Sequence, residues 1–301
     1  MSELKRILPK LALGTWPISG AREWGFYDET EAQRLLGALL ENNITCIDCA
    51  AIYGLGGAET LLGKFFKNTQ RSKFILTSKC GLLPGGRAVK FDLSAKSLQT
   101  QIEDSLRRLN TDYLDIYFLH WPDKNTPLEE TLLQMEKFKQ AGKIRFIGLS
   151  NFTEPLIKQA AQITKIDCLQ NEFSALKQEN KKLFPLVKEL DLAFMAYGVL
   201  NGGILSGKYN TAPELAKTDV RSFFYHSYKD ESFENAQKTA ELLKQICPTS
   251  PAQAAINFVL SFEEVSCAIF GAKTLKQLKE NAGALTWQFT AEQKEKICKN
   301  Y

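Results

Sequence analysis

Histidine is nearly absent from this chain: among its 301 residues only His120 and His226 occur. With no H-E-x-x-H run either, a histidine-built centre lacks its ligands, and no metal site is expected. There is no G-x-S-x-G run, which removes the serine-hydrolase nucleophile elbow. No apolar stretch approaches the roughly 18 residues that suggest a membrane span. Met1 to Lys10 lacks the apolar core and cleavage site of a secretory signal. Positive charge is not concentrated. The net charge is +4 and the basic residues are interspersed with acidic ones, whereas nucleic-acid binding calls for a basic patch or stripe. The seven cysteines, Cys46, Cys49, Cys80, Cys168, Cys247, Cys267 and Cys298, are odd in number, widely spaced and without a C-x-x-C. Most fall in apolar runs, where a thiol behaves as a small hydrophobe. A reducing, cytoplasmic setting is expected, with neither nucleic acid nor membrane as partner.

What the chain does have is alternation. Short apolar runs suited to strands lie at 11–16, 44–47, 74–78, 113–119, 145–149, 167–169, 192–196 and 266–270. Helical spacing follows each. In Asp28–Asn42 the residues Ala32, Leu35, Leu36, Leu39 and Leu40 form one stripe, with Asp28 or Thr30 as cap. Leu93–Leu109 has Ser94 as a cap and Asn110 as a stop. Further helices are expected at 58–66, 128–141, 154–163, 180–190, 232–245, 251–262, 275–284 and 291–299. The segments 81–91 and 202–230 are expected as loops, and one as long as the second is usually a lid or binding loop. Continuous apolar strands alternating with helices indicate parallel βα units. Eight of them predict an α/β fold, a single-domain (β/α)8 TIM barrel over residues 1–301, with an open doubly wound sheet as the alternative.

Four chemically compatible residues fall at the ends of consecutive strands. Asp48 closes the second, Lys79 the third and His120 the fourth, while Tyr53 follows Asp48 in a turn. In a parallel barrel those ends meet on one face. The set suits proton delivery to a carbonyl oxygen. A free tyrosine titrates near ~10, too high for efficient acid–base work at neutral pH. A neighbouring Lys79 ammonium is expected to lower that value, with Asp48 holding the lysine charged. His120 would place the carbonyl or relay the proton. Hydride transfer needs a donor that no side chain provides, so a nicotinamide cofactor is implied.

The motifs around these residues resemble the aldo-keto reductase superfamily. They include Ile47-Asp48-x-Ala50-x-x-Tyr53-Gly54-x-Gly56, Thr77-Ser78-Lys79, Leu119-His120, Gly148-x-Ser150-Asn151-Phe152 and Gln170-Asn171-Glu172. Gly202-Gly203-x-Leu205-x-Gly207-Lys208-Tyr209 and Gly271-Ala272-Lys273 through Gln277-x-x-Glu280-Asn281 continue the match, which runs from about Leu11 to Asn281. The resemblance is closest to the bacterial-type and channel-β-like branches. It implies a barrel that binds NADPH, in preference to NADH, without a Rossmann domain. By position it makes Tyr53 the catalytic acid/base, completed by Asp48, Lys79 and His120. Ser150, Asn151 and Gln170 would hold the nicotinamide carboxamide and Tyr197 would stack on its ring. Gly198, Leu200 and Gly202 would pass the pyrophosphate. Gly271, Lys273, Gln277, Glu280 and Asn281 would bind the adenosine end. Thr15, Trp16 and Lys208 are also expected near the cofactor, and Lys273, with Arg221, would pair with a 2′-phosphate. The chain departs from the family in carrying Gly198-Val199-Leu200 where Ser-Pro-Leu is common, and Phe270 in place of a proline.

The expected activity interconverts an aldehyde, ketone or aldose with its alcohol or lactone. The pocket wall is expected to include Trp16, Trp24 and Trp121 beside Tyr53 and His120, with 208–230 as a lid, for an apolar or sugar substrate. A Rossmann reading of Gly54-Leu55-Gly56 fails because Glu59 stands at the third glycine position. A Schiff-base enzyme using Lys79 is opposed by Asp48, which keeps the amine protonated. A cofactor-bound regulatory subunit is the non-enzymatic alternative, separated from the enzyme by turnover of any aldehyde.

Overall fold

The computed structural model describes residues 1–20, 22–86, 88–247 and 250–299. Its strands are β1 Leu11–Gly14, β2 Cys46–Asp48, β3 Ile75–Cys80, β4 Leu82–Gly85, β5 Ala88–Phe91, β6 Leu114–Leu119, β7 Ile144–Ser150, β8 Cys168–Glu172, β9 Ala193–Tyr197 and β10 Val265–Gly271. Its helices are α1 Glu3–Ile7, α2 Glu29–Gly37, α3 Gly57–Phe66, α4 Ala95–Leu109, α5 Leu128–Gln140, α6 Glu154–Ile163, α7 Phe184–Glu189, α8 Arg221–Phe224, α9 Asp230–Ile246, α10 Pro251–Leu260, α11 Leu275–Ala282 and α12 Ala291–Cys298. Eight strands close in the order β1-β10-β9-β8-β7-β6-β3-β2. Every pairing in that ring is parallel. This is the (β/α)8 barrel, and the open sheet is excluded by the β1–β10 closure.

The outer helices form where an apolar stripe meets a cap. In α4, Leu98, Ile102, Leu106 and Leu109 are buried along one face, Ser94 accepts from the Ser97 N–H, and Asn110 stops the helix at φ 53°. The left-handed cap satisfies the final carbonyls. Asp28 caps α2 by accepting from the Thr30 and Glu31 N–H groups. That helix ends at Gly37, short of the expected Asn42, because the chain tightens into a 3₁₀ turn at Leu40–Asn42 and reverses at Asn43, φ 58°. The expected helix 180–190 is split into a 3₁₀ turn at Glu179–Leu183 and α7. Pro185, in the first turn of α7, has no N–H to carry helical bonding through.

Two apolar layers result. Between strands and helices lies the larger one. Inside the barrel, Ala12, Cys46, Ile116, Phe118, Cys168, Met195 and Cys267 form a second cluster. Gly148 is required there: a Cβ would sit 2.3 Å from the Phe118 ring. Helix α1, which sequence reasoning missed, adds Leu4 and Leu8 to this inner cluster. Its polar partners, Asp191 and Arg145, stand just before β9 and at the start of β7. It therefore covers the N-terminal ends of the strands and leaves the C-terminal ends open.

The segment 81–91 differs from expectation as well. It is an antiparallel hairpin, β4 with β5, in the register Leu82↔Phe91 to Gly85↔Ala88. Pro84 is tolerated because both strands are edges. Among the described residues no helix is long and apolar enough to cross a membrane.

Candidate active site

Asp48 is the last residue of β2 and Thr77 is its register partner on β3. Side chains two apart on a strand share a face, so Lys79 points the same way as Thr77. Lys79 Nζ donates to Asp48 Oδ2 at 2.7 Å and to the Cys49 carbonyl at 2.8 Å. Asp48 Oδ1 accepts from Thr77 Oγ1 at 2.8 Å and from Gln170 Nε2 at 2.8 Å. Gln170 belongs to β8, on the opposite side of the ring from β2, so its amide spans the barrel mouth. Asp48 and Lys79 are 3% and 1% exposed. A buried ion pair persists only when hydrogen bonds satisfy the remaining lone pairs and protons, and here they do.

The turn after β2 brings Tyr53 back over this pair, with Lys79 Nζ 3.2 Å from the Tyr53 hydroxyl oxygen. Gly54 makes the turn possible. Its φ is +59°, and a Cβ there would lie 2.2 Å from the Ser19 carbonyl oxygen. The Trp16 ring lies flat on Tyr53, centroids 5.1 Å apart and planes 9° apart. His120, directly after β6, meets the Tyr53 ring edge-on at 5.9 Å. The four strand-end residues are thus one cluster.

The electrostatics correct one expectation. The Tyr53 phenol is pushed well above its ordinary value, first by burial, then by Asp48, Cys49 and Glu23. Lys79 was expected to lower it, but its charge is met at 2.7 Å by Asp48, and what remains does not outweigh desolvation. Tyr53 is therefore a neutral phenol, in the form that donates a proton. His120 is held well below its ordinary value by burial and by Lys79, so its imidazole is neutral as well.

Above the cluster opens a cleft of about 790 Å³. Of the residues expected at the site, Trp16, Trp24, Asp48, Tyr53, His120, Trp121, Ser150, Asn151, Gln170, Tyr197, Gly198, Leu200, Gly202, Lys208, Arg221, Gly271, Lys273, Gln277, Glu280 and Asn281 all line it. Thr15 does not: it is buried, with its hydroxyl donating to the Asp48 carbonyl at 2.9 Å. Lys79 does not line it either; it is buried against Asp48 and the Tyr53 hydroxyl. Several groups are already partnered. The Tyr197 hydroxyl donates to Asn151 Oδ1 at 2.7 Å, and Asn151 Nδ2 donates to the His120 carbonyl at 3.0 Å. Gln277 Oε1 accepts from the Lys273 N–H at 2.8 Å, and Glu280 accepts from the Ser250 hydroxyl at 2.7 Å.

The long segment crosses the cleft. The Val220 N–H donates to the Glu23 carbonyl at 2.7 Å, and Phe224 meets Trp16 edge-on at 5.3 Å. Within it Arg221 is clamped by Asp219, Nε to Oδ1 at 2.8 Å and Nη2 to Oδ2 at 2.6 Å. Lys273 Nζ donates to the Trp24 carbonyl at 2.6 Å, and burial and Arg221 hold its ammonium below its ordinary value. Lys208, Lys273, Lys276 and Arg221 all line the cleft, and the charges of Arg221 and Lys208 are felt at Lys273.

Sequence reasoning missed Glu23, Lys276 and the hairpin residues Leu82, Val89 and Phe91, all of which line the cleft. The alternation of large apolar residues in 82–91 was the available signal for the hairpin. Glu23, set between Trp16 and Trp24 in a loop, carried none.

Comparison with known proteins agrees with this fold. The model of the Aldo/keto reductase family matches residues 10–300. An aldo-keto reductase of Bacillus subtilis (strain 168), YhdN, is 29% identical over 293 residues, covering 96% of this chain and 88% of the relative. The NADH-specific methylglyoxal reductase of Escherichia coli (strain K12) is 28% identical over 92% of this chain and 90% of its own. The structure of the glycerol dehydrogenase AKR11B4 from Gluconobacter oxydans superposes with a TM-score of 0.87, at 28% identity, over 97% of this chain and 91% of that one.

Proposed function

The chain belongs to the aldo/keto reductase family, an oxidoreductase of carbonyl and alcohol groups, and from that premise we propose that it interconverts an aldehyde, ketone or aldose with its alcohol, using NADP(H) and Tyr53 as general acid/base. The observation that carries this reading is the neutral Tyr53 phenol with Lys79 Nζ at 3.2 Å and Asp48 behind it. The donor set of the cleft fits a nicotinamide dinucleotide: the glycines Gly198, Gly202 and Gly203 and the cations Lys208, Arg221, Lys273 and Lys276 all line it. Ser150, Asn151 and Gln170 would hold its carboxamide, and Lys273, with Lys208 and Arg221, its phosphates. When bound, that group supplies or accepts the hydride.

Every other step belongs to the chain. In reduction the substrate oxygen sits between Tyr53 and His120. The Tyr53 hydroxyl gives its proton to that oxygen as the carbon takes up hydride, and the alcohol forms. The phenolate left behind faces the Lys79 ammonium, which stabilises it until solvent returns the proton. Asp48 keeps Lys79 charged and aimed. His120, being neutral, orients the oxygen without competing as an acid. Trp16, Trp24 and Phe224 exclude water. Oxidation runs the same path in reverse.

Lys208 and Lys273 favour a cofactor bearing a 2′-phosphate, although the E. coli relative is named for NADH. The test is a titration with NADPH and NADH followed by turnover with an aldehyde panel. NADPH should bind more tightly, and Lys273→Ala should shrink its advantage about tenfold, as loss of a charge-assisted contact implies. Tyr53→Phe should keep cofactor affinity and lose about 10²-fold or more in kcat. Undiminished turnover in Tyr53→Phe would remove Tyr53 from the mechanism. Tight binding without turnover of any aldehyde would favour the regulatory-subunit reading.

A further inference from the structure

Among the described residues, Glu23, Asp48 and Glu280 are the carboxylates that line the cleft; Asp48 is met by Lys79 and Glu280 by the Ser250 hydroxyl. Glu23 sits on the 3₁₀ turn Arg22–Trp24 and is pinned from two directions. Its carbonyl accepts from the Val220 N–H at 2.7 Å. Its Oε2 accepts from Trp16 Nε1 at 2.9 Å. The same indole lies flat on Tyr53, so the carboxylate stands one ring away from the phenol that meets the substrate oxygen. Its charge is felt there, since Glu23 is among the groups that raise the Tyr53 pKa. Among the described side chains no lysine or arginine forms an ion pair with Glu23. Asp48, by contrast, is paired with Lys79, and Arg221 with Asp219.

We propose, on the reading of the site given above, that Glu23 is a specificity-determining residue, and that the substrate is an apolar aldehyde or ketone carrying no negative charge. An anionic group brought beside a fixed carboxylate in a partly desolvated cleft is repelled, by about tenfold in affinity for two unit charges several ångströms apart at an intermediate dielectric. The cations Lys208, Lys273 and Arg221 offer no relief, because on the reading above the cofactor's phosphates would take them. The rest of the substrate side favours apolar bulk. Trp121, Leu82, Val89, Phe91 and Phe223 line the cleft, and Val89, Phe91 and Phe223 stay exposed around its mouth. A polyol would give up its water partners for few replacements, since the Trp16 N–H is already bonded to Glu23.

The experiment compares methyl 4-formylbenzoate with 4-formylbenzoate, which share a ring and an aldehyde and differ in one charge. The wild type should prefer the ester in kcat/KM. Glu23→Gln, which still offers an acceptor to Trp16, should shrink the ester-to-acid ratio about tenfold. Glu23→Lys should shrink it further. Raising the salt concentration should narrow the gap in the wild type and not in Glu23→Gln. A ratio equal in the wild type and both variants overturns the role of Glu23, and turnover of xylose above the ester overturns the apolar class. Binding of the two corresponding alcohols to NADP⁺-loaded protein, read by tryptophan fluorescence, separates this proposal from the function itself. A protein that reduces neither aldehyde but prefers the ester alcohol by the same factor, and loses that preference in Glu23→Gln, retains the role of Glu23 and loses the reductase reading. Equal binding of the two alcohols overturns the role.

Discussion

Removing one charge from the buried pair should reveal how the site is held. In Asp48→Asn, the Lys79 ammonium keeps the Cys49 carbonyl at 2.8 Å and loses the carboxylate at 2.7 Å. Both partners are almost wholly buried, at 1% and 4% side-chain exposure. Water cannot replace the lost charge, so the cost is that of an uncompensated buried ion, about 3–5 kcal/mol. Thr77 and Gln170 both donate to Oδ1, which the amide oxygen can replace, so the loss falls at Oδ2, where an NH2 group now faces the ammonium. Lys79→Met leaves Asp48 with those two donors and no cation, and should cost a similar amount. The double variant removes both charges and should be more stable than either single one. Urea unfolding at pH 7, followed by circular dichroism, measures all four corners of the cycle. A single-variant loss under about 1 kcal/mol, or a double-variant loss equal to the sum of the singles, would refute the claim that this pair is a desolvated unit.

Two further outcomes follow from the geometry. Burial keeps folded His120 neutral, with its pKa well below the ordinary value, whereas the unfolded chain takes up a proton as pH falls below about 6.5. The unfolded state then binds more protons, so stability falls with decreasing pH in that window, by up to about 1.4 kcal/mol per pH unit. Glu172 acts in the opposite sense, because burial raises its carboxyl. The difference between wild type and His120→Asn isolates the histidine, and parallel urea midpoints from pH 7 to 5 would refute the assignment. Gly54→Ala must hold φ +59° with its Cβ 2.2 Å from the Ser19 oxygen, whereas Gly142→Ala holds φ +73° with nothing within 4 Å. The second should cost about 1 kcal/mol and the first clearly more. Equal losses in thermal unfolding would show that the Tyr53 turn is not tightly packed.

Most of the barrel was legible because its signals are local. Apolar runs ending at Asp48, Lys79 and His120, the stripe of α4 between Ser94 and Asn110, and the stop after each helix are properties of a few consecutive residues. The misses lie where that logic weakens. Helix α1 has five residues, too few to show a period, and is ordered by Leu4 and Leu8 entering the barrel. The hairpin β4–β5 was hidden by Pro84-Gly85-Gly86, which reads as an interruption, although Pro84 and Gly85 are paired residues of β4. The helix expected over 180–190 contains α7, but its start is a 3₁₀ turn, because Pro185 divides the segment.

Residue order alone places an aspartate, a lysine and a histidine at the ends of parallel strands and a tyrosine in the turn after the first of them, since strand period and strand ends are written along the chain. What those groups become is set by the folded arrangement. Whether Lys79 lowers the Tyr53 pKa depends on what else stands within a few ångströms, and folding puts Asp48 at 2.7 Å and buries the phenol. Whether Arg221 and Lys273 face a phosphate unencumbered depends on Asp219 and on the Trp24 carbonyl, 249 positions from Lys273 in the chain. The place of Glu23 beside the reacting centre rests on Trp16 and Val220 closing on it from separate loops. Desolvation and Coulomb interaction act across space, and no stretch of chain encodes the distances that set them.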